Sequence, residues 1–109
     1  MFGFDGLLRQ AQEMQSKMEK VQEELATKTL TATSGGGMVT VTCSGKQEVL
    51  SITIDKTIVD PDDVTMLQDL VLTAVNEALR QARELSAAEM SALTGSLNIP
   101  GLKIPGLTA

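Results

Sequence analysis

Apolar residues recur in alternating steps of four and three positions along residues 5–27. The stripe consists of Leu7, Ala11, Met14, Met18, Val21 and Leu25. This spacing is typical of a long helix that packs along a partner, although packing on the chain's own sheet is an equally good interpretation. Opposite charges stand four positions apart as Glu13 and Lys17, Lys20 and Glu24, and Glu24 and Lys28. Such pairs fit a solvated outer face, so we predict a first long helix.

Strict alternation replaces the helical period in the middle of the chain. Residues 28–33 alternate through Leu30 and Ala32, which predicts a first strand. The next segment places Val39, Val41 and Cys43 on one face and Thr40, Thr42 and Ser44 on the other. After residues 44–46 the alternation resumes, with Leu50, Ile52 and Ile54 on one face and Val49, Ser51 and Thr53 on the other. Three short strands separated by turns predict a three-stranded antiparallel meander.

Three consecutive glycines at residues 35–37 and a later Gly45-Lys46 pair raise the question of a phosphate-binding loop. A P-loop requires Gly-x-x-x-x-Gly-Lys-Ser/Thr, because backbone N–H groups wrap the phosphates and a hydroxyl holds magnesium. Here Thr40 occupies the place of the first glycine and Gln47 the place of the hydroxyl. The spacing therefore rules against a P-loop. We expect the glycines to be turn residues that supply positive φ angles.

The acidic run at residues 60–63 predicts the start of a second helix, with Asp60 as N-cap and Pro61 at the first helical position. Capping explains these carboxylates better than calcium binding, because the alternating acids and central glycine of a calcium loop are missing. Apolar residues then follow a helical period to Leu85, and the helix is expected to end between residues 88 and 94, before Gly95. The sequence thus predicts one α+β domain of order αβββα over residues 1–94 and a Pro/Gly-rich tail over 95–109.

Composition narrows the possible chemistry. The chain of 109 residues contains no His, one Cys and two aromatic residues, Phe2 and Phe4. A histidine base, a Ser-His-Asp triad, a Cys-His pair and a His/Cys zinc site are all excluded. Cys43 shares the apolar strand face, which favours a core position over a nucleophile. We therefore expect no enzyme activity, no metal site and no cofactor.

The chain has a formal net charge of −5 and no apolar run that approaches bilayer length. Its N-terminus does not resemble a signal peptide, so a soluble cytoplasmic protein without a membrane partner is expected. The acidic balance opposes simple adhesion to nucleic acid or to an anionic membrane.

Element lengths suggest an oligomer. A first helix of about 23 residues is about 35 Å long, whereas strands of about six residues span only about 20 Å. Because the sheet is too short to cover both helical stripes, we predict a symmetric homodimer with helices that project from a central β region. The predicted dimer contacts are Leu7, Met14, Met18, Val21 and Leu25.

Several segments in order resemble the YbaB/EbfC-type nucleoid-associated proteins of bacteria. They are the opening Met-Phe-Gly-Phe, LLRQAQEMQSKMEKVQEELA, GGGMVTVTCSGKQEVLSITID, LQDLVLTAVNEALRQARE and IPGLKIPGL. The resemblance covers nearly the whole chain. It implies an αβββα subunit, a tweezer-like homodimer, binding of duplex DNA with little sequence preference, a nucleoid location, and an influence on chromosome organisation and gene expression. It implies no catalytic site.

DNA binding of this kind requires cations that can neutralise phosphates. The candidates are Arg9, Lys17 and Lys20 on the first helix and Arg80 and Arg83 on the second. Carboxylates lie three or four positions away at Glu13, Glu24, Glu77 and Glu84, so ion-paired surface faces are an equally good interpretation of each cation. The alternative function is a dimeric protein-interaction module or regulator that uses the stripe of the first helix or the C-terminal tail, with weak or indirect DNA contact.

Overall fold

The computed structural model describes residues 2–96 and contains two helices and three strands. They are α1 (Phe2–Thr27), β1 (Thr29–Ser34), β2 (Val39–Ser44), β3 (Val49–Ile54) and α2 (Val64–Ser96). The strands form an antiparallel sheet in the order β1-β2-β3. The predicted α+β fold with the order αβββα is confirmed. Residues 97–109 of the predicted tail lie outside the described residues.

Helix α2 packs on the sheet through a row of small side chains. Ala74, Ala78 and Ala82 follow one another at intervals of four and have no exposed surface. Because alanine ends at Cβ, the helix axis can lie close to the strands. Val39, Val41 and Cys43 on β2 are equally buried and form the same cluster, together with Ala32 of β1. The predicted buried face of β2 is therefore confirmed.

Strand β3 departs from strict alternation. The register pairs Val41 with Ile52 but Cys43 with Val49, which leaves Leu50 as one extra residue. A bulge of this kind shifts the facing of the residues before it, so Val49 lies on the same side of the sheet as Cys43. The prediction that Val49 faces away from Ile52 is wrong for this reason. Helix α2 leaves the strand largely uncovered, and the side chain of Ile52 is 46% exposed.

The turns use glycine for two different physical reasons. Gly35, Gly36 and Gly37 have φ angles of 59°, 67° and 93°, as predicted. Gly45 does not, and the left-handed position of the β2–β3 turn belongs to Gln47, with φ of 65°. At Gly45 the constraint is space, because a Cβ atom there would lie 2.7 Å from the carbonyl oxygen of Leu25. The expectation of a positive φ at Gly45 is wrong, and close approach of α1 explains the residue instead.

Both ends of α2 differ from prediction. The helix begins at Val64, and Asp63 is its cap, since Asp63 Oδ1 accepts from the amide of Met66 at 3.3 Å. Asp60, the predicted N-cap, instead accepts from the amide of Asp62 at 2.9 Å within the preceding turn. Because of this turn, α2 begins three residues later than predicted, at Val64 instead of Pro61. At the other end α2 continues through Gly95 to Ser96, because one glycine costs a helix only about 1 kcal/mol.

Helix α1 projects from the rest of the subunit. From Gly3 to Lys20 every side chain is exposed except Met14, which is half-buried. Leu25, in the last turn, is only 1% exposed. The helix is thus attached near its C-terminal end.

Within residues 2–96 neither helix is long and apolar enough to cross a bilayer.

Candidate nucleic-acid interface

Three candidate cations stand on the projecting part of α1. Arg9, Lys17 and Lys20 are exposed, and within residues 2–96 no carboxylate forms an ion pair with them. The pairs predicted for Lys17 with Glu13 and for Lys20 with Glu24 are therefore not formed. The positive groups on this helix are open to an external anion.

These cations share one flank of α1. At about 100° per residue, Arg9, Lys17 and Lys20 fall within a sector of about 80° beside the apolar stripe. Glu13 and Glu24 also fall inside that sector, one turn before Lys17 and one turn after Lys20, while Glu19 lies on the far side of the stripe. The cations outnumber the carboxylates in this sector, and we call Arg9, Lys17 and Lys20 the basic flank.

On α2 the two candidate arginines have different surroundings. Arg80 donates from Nε to Glu77 Oε2 at 2.8 Å, from Nη2 to Glu77 Oε1 at 2.5 Å, and from Nη1 to Glu84 Oε1 at 2.6 Å. Hydrogen bonding to Arg80 lowers the pKa of Glu77 to about 2. Arg83 is exposed and has no ion pair among residues 2–96. The charge of Arg80 is offset by its own helix, whereas that of Arg83 is available.

Lys28 forms an ion pair with Glu89 and not with Glu24, the partner that the sequence pattern suggested. Lys28 Nζ lies 2.5 Å from Glu89 Oε1, and the two residues are 61 positions apart in the chain. The hydrogen bond with Glu89 raises the pKa of Lys28. No local signal could identify this pair, because it depends on where α2 crosses the end of α1.

The predicted dimer contacts on α1 are unequally available. Leu7 is 64% and Met18 39% exposed, and Met14 and Val21 are half-buried. Leu25 packs against Gly45 of the same chain. A Cβ atom placed on Gly45 would lie 3.0 Å from Leu25 Cδ2. The free part of the stripe therefore excludes Leu25.

Sequence reasoning missed a second apolar surface, between β3 and α2. This β3–α2 groove is lined by Ile54, Leu67, Gln68, Val71, Leu72 and Val75. Leu72 is 59% exposed, and Ile52 on the adjacent strand is also open. The apolar arc of α2, which is wider than the sheet needs, was the available signal. Exposed apolar surfaces are typical of contacts with other macromolecules.

Neither a metal-binding cluster nor an exposed thiol is present among the described residues. No three His, Cys, Asp or Glu side chains within residues 2–96 converge to hold a metal ion. Cys43 is fully buried and its Sγ donates to the carbonyl of Ala78 at 3.2 Å. Burial raises the pKa of this thiol, which disfavours the nucleophilic thiolate.

Comparison with known proteins assigns the family. Residues 1–97 match the model of the YbaB/EbfC DNA-binding family. The chain belongs to that family. The resemblance found in the sequence is thereby confirmed.

Close relatives within the YbaB/EbfC family are named nucleoid-associated proteins. One from Syntrophobacter fumaroxidans is 55% identical over 100 residues, covering 92% of this chain and 91% of the relative. Another, from Desulforamulus reducens, is 60% identical over 96 residues, covering 88% and 91%. Among solved structures, the uncharacterized protein HP0035 from Helicobacter pylori aligns with a TM-score of 0.60 at 23% identity, over 81% of this chain and 95% of that one. That match supports the fold alone.

Proposed function

We propose that this YbaB/EbfC family member is a non-enzymatic nucleoid-associated protein that binds duplex DNA with little sequence specificity. Its place is the bacterial nucleoid, where it contributes to chromosome organisation and gene expression. The observation that carries the proposal is the basic flank of α1, whose three cations are exposed and unpaired within residues 2–96 on a helix that projects from the subunit.

The contacts are with phosphates rather than with bases. Long, exposed Lys and Arg side chains neutralise phosphates in any sequence. The only aromatic residues of the chain are Phe2 and Phe4, which precede the basic flank. The rest of the chain therefore has no aromatic side chain on which bases could stack. Arg83 adds a free cation on α2. Arg80 contributes less, because binding to a phosphate requires it to leave Glu77 and Glu84.

An acidic protein can bind DNA if the approaching surface is locally basic. The net charge of −5 repels the duplex at long range, while the cations act at contact distance, where salt screens the distant charges. Affinity should therefore be modest and should fall steeply with salt, with about one counterion released per phosphate contacted.

The protein acts as a homodimer in this proposal. Strand β3 is an edge strand without Lys or Pro, and its apolar side chains are open next to the β3–α2 groove. Although β3 carries a bulge, an exposed apolar edge strand is a ready template for pairing with another chain. A second copy of the chain, related by a two-fold axis, would cover the same surface on both subunits. The free part of the α1 stripe, namely Leu7, Met14, Met18 and Val21, remains a predicted additional contact.

The test is a titration of a labelled random-sequence duplex at two salt concentrations with a double variant, Lys17→Glu and Lys20→Glu. The matched control is Lys46→Glu with Lys56→Glu, which makes the same charge change at exposed sites outside α1 and α2. We expect the α1 variant to weaken binding and to lower the salt slope by about one unit per contact removed. The control should change both far less.

Equal losses in the two double variants would mean that only total charge matters and would refute the basic flank as the binding site. No binding by the unsubstituted protein even at low salt would favour the alternative, a dimeric module that contacts protein partners.

A further inference from the structure

Helix α1 is attached to the sheet at a small cluster of contacts in and after its last turn. The amide of Gly45 donates to the carbonyl of Lys28 at 3.0 Å, and the amide of Lys28 donates to the carbonyl of Leu25 at 3.3 Å. The β2–β3 turn therefore holds the chain where α1 ends.

Two further contacts act where α1 leaves this point, alongside the packing of α1 on α2 and β2. Leu25 packs so closely on Gly45 that a Cβ atom there would meet the Leu25 carbonyl oxygen at 2.7 Å and its Cα at 3.2 Å. Lys28 is tied to Glu89 on α2 by the 2.5 Å ion pair. One contact is a backbone approach that cannot be compressed, and the other joins the end of α1 to the second helix.

A small rotation at these contacts has a large effect at the far end of the helix. With 26 residues α1 is about 39 Å long, so a rotation of about 10° at its last turn moves the first turn by about 7 Å. On duplex DNA the charges of one strand are spaced about 3.4 Å apart along the axis. Such a displacement therefore moves a cation past about two phosphates.

We propose that Leu25, Lys28, Gly45 and Glu89 form a pivot that sets the direction of α1, and with it the spacing of its cations from Arg83. The proposal rests on the DNA-binding function proposed above. The four residues are positioning residues that need not touch DNA. The close approach at Gly45 sets the mean direction, and the ion pair between Lys28 and Glu89 limits the spread around it.

The ion pair can be removed without threatening the fold. The side chains of Lys28 and Glu89 are 44% and 27% exposed, and exposed pairs contribute little to stability. Glu89→Gln is therefore the first test variant. Glu84→Gln is its matched control, because it removes the same charge and also one ion pair, but that pair lies within α2.

The direct measurement uses nitroxide labels attached at Gln12→Cys and Asn76→Cys. Pulsed electron–electron double resonance gives the distribution of distances between the two labels. Both positions are exposed, whereas Cys43 is buried and stays unlabelled. Labelled chains are diluted with unlabelled chains so that each distance lies within one subunit. We expect Glu89→Gln to broaden the distribution by several ångströms and Glu84→Gln to leave it unchanged.

Gly45→Ala provides a second variant with a different signature. Because its Cβ must displace the end of α1, the mean distance should shift by several ångströms rather than broaden. Circular dichroism and a thermal unfolding curve show whether this variant folds. If it does not, the Glu89→Gln comparison still decides.

Duplex titrations of the same proteins supply the functional readout. For the affinity comparison the control is Asp69→Asn, because Glu84→Gln would also release Arg80, a candidate DNA contact. Asp69 is exposed on α2 and has no ion pair within residues 2–96, so Asp69→Asn makes the same change of net charge as Glu89→Gln without releasing a cation. A wider spread of α1 directions lowers the binding-competent fraction, so Glu89→Gln should bind about threefold more weakly than Asp69→Asn.

Identical distance distributions in all variants would overturn the pivot, even if DNA binding were normal. Altered distances with equal affinity in Glu89→Gln and Asp69→Asn would overturn its role in DNA recognition. Absence of binding by the unsubstituted protein, with altered distances in the variants, would instead refute the proposed function and leave the mechanical pivot standing.

Discussion

Arg80 is held between Glu77 and Glu84, one carboxylate on each side along α2, at 2.5 and 2.6 Å. Arg83, one turn away, has no such pair within the described part of the chain. Two arginines that look equivalent in the sequence therefore present different charges to an approaching phosphate.

The first prediction follows from this difference. Arg83→Ala should weaken binding to a random duplex by more than Arg80→Ala does, because truncating Arg80 removes a cation that is already offset. We expect about one unit of salt slope to be lost in the Arg83 variant and much less in the other. The comparison requires anisotropy titrations over a series of salt concentrations. A larger loss from Arg80→Ala would show that the duplex displaces Glu77 and Glu84.

A second prediction concerns Glu13, one of the two carboxylates in the sector of the basic flank. Glu13→Gln should raise DNA affinity, because it removes a negative charge from between Arg9 and Lys17. Glu19→Gln makes the same charge change on the other side of the apolar stripe and is the matched control. At low salt we expect a gain of severalfold for Glu13→Gln and a smaller one for Glu19→Gln. Equal gains would argue that the duplex senses only net charge.

The third prediction is a titration. Hydrogen bonds from Arg80 lower the pKa of Glu77 from its ordinary 4.5 to about 2. A lowered carboxyl pKa stabilises the folded state above pH 4.5, and this contribution is lost as the pH falls from 4.5 through 2. Carboxyl carbon NMR shifts should therefore place the Glu77 midpoint near 2. In Arg80→Gln the midpoint should return towards 4.5. A midpoint that stays low in that variant would assign the shift to another cause.

The fourth prediction tests the homodimer. Leu72→Glu should shift the protein towards monomer, because it places a charge in the β3–α2 groove, where Leu72 is 59% exposed. Thr73→Glu introduces the same charge at the next residue, on the outer side of α2, and should leave the assembly unchanged. Sedimentation velocity over a range of concentrations distinguishes the two.

Met18→Glu in the same assay examines the α1 stripe. We expect it to weaken the dimer as well, since the stripe has no cover from its own subunit at that point. A dimer that survives Met18→Glu but not Leu72→Glu would confine the interface to the groove. One that survives Leu72→Glu would remove the groove from the interface.

Much of the fold could be predicted from the sequence because its signals are local. The step of three and four along α1, the alternation of Val39, Val41 and Cys43, and the glycines at residues 35–37 each depend on the geometry of neighbouring residues. The family could also be recognised, because segments spread over nearly the whole chain carry the resemblance.

Several details could not be predicted because two local signals competed. Both Asp60 and Asp63 can cap a helix, and the turn begun at Asp60 left Asp63 to do so. Alternation alone could not show that β3 holds an extra residue at Leu50, since a bulge is defined by pairing with β2.

The sequence by itself determined the elements, their order, the buried face of β2 and the set of cations that could meet DNA. Tertiary structure decided which of those cations are free, that Lys28 meets Glu89, that Leu25 rests on Gly45, and that β3 remains open beside α2. The physical reason is distance along the chain. Period and turn chemistry act between neighbours, whereas the charge a cation presents and the surface a strand exposes depend on residues that only folding brings together.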